Sequence, residues 1–133
     1  AWKGDLTTDY TLLEGGLDRF IKFDKPQDFC GKGELMKEKQ RGAKKRFVTL
    51  VIDNDVYDTP YMSTIWSGSN AVGETTSGAW GYRVNQAIAL GMVKSGFNES
   101  GQKLEVEIYG RRYGATVQED KPLWDPKNDR LRL

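Results

Sequence analysis

Four carboxylates, Asp5, Asp9, Glu14 and Asp18, open the chain and invite assignment as a general acid and base. Their neighbours are threonines, glycines and scattered apolar residues, the texture of a polar strap rather than of a reactive centre, so no catalytic role is assigned to them. The sequence has no histidine, which removes the most frequent general base and the commonest metal ligand. A serine–histidine or cysteine–histidine centre is therefore impossible within these residues. Cys30 is the only cysteine, so neither an intramolecular disulfide nor a cysteine-clustered metal site is available. The expectation is a chain with no catalytic and no metal-ligating residue, suited to a reducing compartment.

The basic residues form a second set. Lys37, Lys39, Arg41, Lys44, Lys45 and Arg46 run together and read either as a phosphate-binding patch or, more simply, as a solvated face. Together with Arg111 and Arg112, and with Trp66, Trp80 and Tyr109 as stacking surfaces, Lys44, Lys45 and Arg46 define one alternative: a stand-alone β-barrel that binds single-stranded nucleic acid. Such a barrel needs its basic and aromatic residues on one face, and the sequence places the arginine pair at a hairpin tip and the lysines beyond a helix. Twenty basic against nineteen acidic residues leave a net charge of +1, too small to attract a polyanion or an anionic membrane by itself. The expectation is no nucleic acid and no membrane partner. The longest apolar runs, such as Ala87 to Val93, fall far short of a membrane span, and no signal-peptide pattern opens the chain.

The elements that must position these residues divide near residue 46, into a region 1–45 and a barrel domain 46–133. Residues 1–29 carry Trp2, Leu12, Leu13, Leu17, Phe20, Ile21, Phe23 and Phe29 without a regular period, which predicts an extended strap with apolar side chains seeking a surface. A short strand is expected over Arg19 to Phe23, ended by Lys25-Pro26. Residues 33–41 are strong helix formers with Glu34 early, Lys39 and Arg41 late, and Gly42 at the position of a C-terminal cap. Beyond Arg46 come short apolar segments separated by turn residues. Strands are predicted at Phe47–Ile52, Tyr61–Trp66, Ala71–Thr76 and Ala87–Val93, the second and third as a hairpin and the fourth central. A further hairpin spans Lys103–Gln118, turning at Gly110-Arg111-Arg112. About six strands in this length give a mainly β fold, a small C-terminal barrel preceded by the strap and one short helix. Trp124, between Pro122 and Pro126, is expected to plug the barrel end. Trp80, Tyr82 and Arg83 are expected to occupy a loop, read either as the border of a binding cleft or, more simply, as a turn with an aromatic anchor.

The order of local motifs resembles the C-terminal third of the glycine-cleavage T-protein (aminomethyltransferase) family. Gly4-Asp5-Leu6 followed by Leu12-Leu13-Glu14-Gly15-Gly16-Leu17 resembles its stretch of an acidic residue, a threonine-rich spacer and a Glu-Ala-Gly-Leu-type turn, and Lys22-Phe23-Asp24-Lys25, Asp28-Phe29-Cys30-Gly31-Lys32 and Glu34-Leu35 are similar to its Lys-x-Asp-Lys and Asp-Phe-x-Gly-Lys-x-x-Leu signature. Gly73-Glu74-Thr75-Thr76-Ser77-Gly78, Ala87-Ile88-Ala89-Leu90-Gly91, and Gly101 with Leu104-Glu105-Val106 follow in the same order as its later elements. Ala1 to Leu6 and Pro122-Leu123-Trp124-Asp125-Pro126 resemble the folate-binding end of flavin-linked dimethylglycine and sarcosine dehydrogenases.

The resemblance implies a parent enzyme of one-carbon metabolism. Its flavin half is an oxidoreductase that converts an N-methyl amine to an iminium, and its T-protein-like half passes the one-carbon unit to tetrahydrofolate. The family's catalytic aspartate and its main pterin-gripping residues lie upstream of Ala1, and FAD would belong farther upstream still. The piece in hand is thus expected to be inactive by itself, with the rest of the polypeptide and folate as partners, in the cytoplasm or the mitochondrial matrix. One family feature falls inside the chain: the tail returns to the folate cleft, which places Arg130 there, with Asp129 and Arg132 beside it. The other alternative is a purely structural interaction module.

Overall fold

The computed structural model describes residues 1–130. One α-helix, α1 (Lys32–Arg41), precedes six strands: β1 (Lys45–Ile52), β2 (Thr64–Ser67), β3 (Asn70–Gly81), β4 (Gln86–Lys94), β5 (Lys103–Ile108) and β6 (Arg111–Val117). The strands close into an antiparallel barrel in the order β1-β4-β3-β2-β5-β6, with β6 returning to β1. Strict alternation drives the clearest of them. Leu104, Val106 and Ile108 of β5 point inward, and so do Val48, Leu50 and Ile52 of β1, where they meet Ile65, Val72, Ala87, Ala89, Val93, Ala115 and Val117 in one core. Closure removes every free sheet edge. That is why Arg19 to Phe23 does not pair as the expected strand: a 3-10 turn at Asp18–Phe20 begins the segment, and Phe20 stays largely exposed beneath the Arg19 guanidinium.

Two strand ends depart from the expectations for local reasons. β2 starts at Thr64 because Met62 takes a left-handed φ of 63°. β3 runs on through the Thr-Ser-Gly element to Gly81, with a bulge between Thr75 and Ser77. The bulge leaves Thr76 without a partner on β4 and turns its side chain, like that of Thr75, to the buried side. At the last hairpin the turn is Tyr109-Gly110, one residue earlier than expected, with φ of 49° and 78°. Positive φ at both central residues is the two-residue hairpin geometry whose twist matches the strands.

The strap reaches the barrel at a few defined points. Asp5 is buried, and its carboxylate accepts hydrogen bonds from Thr76 Oγ1 (2.6 Å) and Ser77 Oγ (2.7 Å), and from the Ala1 amino group. Leu13 is buried; the Phe47 N–H donates to the Glu14 carbonyl and Arg46 donates to the Leu13 carbonyl. Helix α1 is tied in through buried Glu38, which accepts from Thr11 Oγ1 at 2.8 Å.

Candidate functional site

After β6 the chain crosses back over the barrel. The Gln118 N–H donates to the Thr49 carbonyl, and residues 121–126 then lie along the β3–β4 turn. This tail is folded by its own side chains. Asp125, at φ 49°, accepts through Oδ1 from the Asp129 N–H (2.9 Å) and through Oδ2 from the Arg130 N–H (3.0 Å), while the Asn128 N–H bonds the Asp125 carbonyl. Asp and Asn are the residues that tolerate such left-handed turns and satisfy the backbone locally. One carboxylate thereby fixes the direction of the backbone at Arg130.

Trp124 is the surface on which this turn converges. The Arg83 guanidinium lies 4.3 Å from its ring centre and that of Arg130 5.9 Å from it, distances at which the indole quadrupole attracts cations. Arg83, Gln86, Trp124, Asp125 and Arg130 line a cleft of about 560 Å³. An apolar groove adjoins it, walled by Val84, Ile88, Pro122 and Leu123 and sharing Arg83 and Trp124. No carboxylate among the described residues lies within ion-pair distance of Arg83 or Arg130. Of the three tail residues singled out from sequence, Arg130 borders the cleft, and Asp129 supplies a backbone donor to the turn while its side chain is exposed. Arg132 lies outside the described residues. Trp124 stands apart from the core it was expected to plug, and Trp80, expected in a loop, is a β3 residue packed against that core. Arg83, read from sequence as part of a loop at the border of the cleft or a plain turn, lies on the β3–β4 turn and lines the cleft beside the tail.

The opening carboxylates are engaged in holding the strap. Asp9 accepts from Thr7, Glu14 exchanges hydrogen bonds with Thr11, and Asp18 pairs with Arg46 at 3.5 Å. A second, narrower cleft lies between strap and barrel, lined by Thr7, Tyr10, Tyr61 and Glu74 among others. Burial, and then the Glu74 carboxylate 3.4 Å from its hydroxyl, push the Tyr10 pKa up, so this phenol stays protonated at neutral pH. No group of three or more potential metal-ligating side chains occurs among the described residues, and no helix there is long and apolar enough to cross a membrane.

The basic and aromatic residues of the nucleic-acid alternative are separated by the barrel register. Lys45 faces Lys94 at one end of β1, whereas the pairing of Ile52 with Ala115 carries Arg111 and Arg112 past the other end. Arg112 stacks on Trp66 at 4.1 Å and pairs with Glu105, and the Trp66 indole N–H donates to Glu107. Two glutamates thus border the stacking surface.

Residues 45–125 match the profile of the glycine cleavage T-protein C-terminal barrel domain. The chain is 38% identical over 133 residues to the mitochondrial dimethylglycine dehydrogenase of Rattus norvegicus, covering 99% of this chain and 16% of that protein. An aminomethyltransferase of Thermosynechococcus vestitus is 37% identical over 114 residues, 85% of this chain and 30% of its own length. Among solved structures, aminomethyltransferase T of the glycine cleavage system from Bartonella henselae superposes with a TM-score of 0.81 at 21% identity, over 90% of this chain and 34% of that one. The chain therefore spans a minor part of the length of these relatives. It belongs to the glycine-cleavage T-protein family, of which it carries the C-terminal barrel domain.

Proposed function

We propose that the chain is the closing piece of a tetrahydrofolate-dependent one-carbon transfer enzyme of the dimethylglycine or sarcosine dehydrogenase type. Residues 1–45 end its folate-binding region, and 46–133 form the barrel that helps to close the folate site. The observation that carries this reading is the tail. Arg130 is oriented by Asp125, lies over Trp124 and has no anionic partner among the described residues. A planar guanidinium oriented in this way suits a carboxylate or an aromatic ring, and tetrahydrofolate offers both. Asp129 and Arg132 neighbour Arg130 in the sequence and belong to the same proposed set.

Bound folate supplies the nitrogen that accepts the one-carbon unit. The residues of this chain contribute binding and orientation, and the reacting carboxylate and any flavin belong to the remainder of the parent polypeptide. That remainder also covers apolar side chains the strap leaves exposed, such as Trp2 and Phe20. The mitochondrial location in the name of the rat relative favours the matrix, with the cytoplasm as the setting in an organism without mitochondria.

In the parent enzyme, Arg130→Ala weakens folate binding by about tenfold while amine oxidation proceeds unchanged. Titration of folate and a separate dye-coupled assay of oxidation read the two effects. Unchanged folate affinity removes Arg130 from the site, and methylene transfer by the isolated 133-residue chain overturns the assignment of the chemistry to upstream residues.

A further inference from the structure

The geometry points to a binding site for a small alkylated ammonium ion in the cleft between strap and barrel, with Glu74 as its counter-charge and Tyr10, Tyr61 and Met62 as its walls. The site shares no residue with the tail cleft, so it stands or falls independently of the folate reading.

The cleft holds about 220 Å³, which at roughly 30 Å³ per water molecule is room for a small organic molecule and little more. Its chemistry converges on one hydroxyl. Burial first, then Glu74, and after it Tyr61 and Asp9 push the Tyr10 pKa up, so two carboxylates and a second phenol surround that group. The Tyr10 hydroxyl donates to Glu74 Oε1 over a long 3.4 Å, and an ionised carboxylate offers about four acceptor positions. Glu74 therefore has capacity to face an incoming cation. Lys3 also lines the cleft, but it is exposed and screened by water, whereas Glu74 is half-buried. The Tyr10 ring already accepts a cation, the Lys45 ammonium 5.3 Å from its centre. Aromatic faces attract alkylated ammonium ions in the same way, and the Met62 thioether offers their carbon atoms a polarizable apolar surface. A metal ion is the poorer match, since no group of three or more potential ligating side chains occurs among the described residues.

The walls are held in place before any ligand arrives. Lys3 and Met62 both take left-handed φ, 67° and 63°, a conformation that the Cβ makes unfavourable. Backbone bonds keep them there: the Lys3 N–H donates to the Leu6 carbonyl at 2.7 Å and the Met62 N–H to the Thr75 carbonyl at 2.8 Å. Thr75 Oγ1 donates to the Pro60 carbonyl and accepts from the Ser63 N–H, which fixes the loop that carries Tyr61. On the strap side, the bonds from Thr76 and Ser77 to Asp5 anchor the turn that carries Lys3. Strained backbone of this kind clusters at ligand sites, and walls fixed in advance lower the cost of binding.

The test uses the 133-residue chain, isotope-labelled at its methionine methyl groups, with resonances assigned through Met36→Leu and Met62→Leu. It is titrated with trimethylammonium chloride against sodium chloride of equal ionic strength. A saturable shift of Met62 at millimolar concentration is expected, with Met36 on α1 and buried Met92 on β4 unmoved. tert-Butanol, uncharged and of similar shape, binds at least about tenfold more weakly. Glu74→Gln weakens binding about tenfold and Tyr61→Leu several-fold. Tyr10→Phe, which keeps the ring and releases Glu74, binds at least as tightly.

A Glu74→Gln chain that binds as well as the unsubstituted one overturns the site. So does binding of tert-butanol at the affinity of the cation, or a Met62 resonance that shows no saturable shift. An unmoved Met92 resonance in each variant shows that the core is intact. The same ion on a longer stem, N-acetyl-trimethyllysine amide, separates two sources of such a cation. Tighter binding than trimethylammonium assigns the ion to a partner protein's side chain, weaker binding to a free amine, and either result supports the site.

Discussion

Asp5 shows how a single carboxylate sets a tertiary contact. Its burial raises the pKa, but in the 133-residue chain hydrogen bonds from the Ala1 amino group, Thr76 and Ser77 outweigh that and hold it below the ordinary aspartate value. Thr76 is available because the β3 bulge turns it inward, so strap and barrel are joined where the strand is irregular. Hydrogen bonds to a buried charge make Asp5→Ala cost roughly 2 kcal/mol at neutral pH, read as a lower urea midpoint. The pH dependence follows from the direction of the shift. The folded-state pKa is the lower one, so the contribution is complete above the unfolded carboxyl range and fades as pH falls through that range toward the folded value. Asp5→Asn is therefore expected to flatten the stability curve below about pH 5. An unchanged acid limb would mean that another group controls it.

At the scale of elements, the strands approach one another so closely that certain glycines have no substitute. A Cβ on Gly73 of β3 would fall 2.3 Å from the Met92 carbonyl oxygen and 2.9 Å from Val93 Cα on β4. Both are backbone atoms, so a strand must move. Gly33, within helix α1, has nothing within 4 Å of its virtual Cβ. Gly73→Ala is accordingly expected to destabilise by about 1–3 kcal/mol, and Gly33→Ala to stabilise by up to about 1 kcal/mol through helix propensity. Thermal melts of the two variants shifting in the same direction would contradict this packing. The same glycines explain what could be read from sequence. β1, β4 and the β5–β6 hairpin are legible because small and apolar residues line their inner faces, and α1 because its formers end at Gly42. β3 runs past the Thr76 end expected from sequence, through Gly78 to Gly81. In the fold they are strand residues: the Thr59 backbone leaves no room for a side chain at Gly78, and at Gly81 the side-chain ends of Ile88 and Val84 would have to move aside. The candidate site is legible only in part. Arg130 follows from family resemblance and Arg83 from its loop beside the Thr-Ser-Gly element, but that the two line one cleft follows only from the tertiary approach of turn and tail.

The whole molecule combines a closed sheet with a loosely attached leading region, and the two should differ in stability. β1 and β4 share eight paired positions, and closure is completed by three pairs between β1 and β6 and two between β2 and β5. Breaking either seam exposes the common core, so the six strands are expected to open together. The strap is tied by Asp5, Leu13, the Glu14 carbonyl and the Thr11–Glu38 bond, whereas Trp2, Leu12 and Phe20 remain exposed. Few buried apolar contacts imply opening at lower free energy. Native-state hydrogen exchange is expected to show Leu17, Phe20 and Ile21 amides exchanging through openings at least about 2 kcal/mol cheaper than those of Leu50, Val93 and Val106. Equal protection of strap and barrel in the isolated chain would make the strap an integral layer, and the argument that its apolar side chains await another surface would fail. If the strap gains protection to the level of the barrel only within a longer parent chain, the missing surface is upstream. The barrel would then be a unit that folds by itself, and the strap the segment through which it is docked.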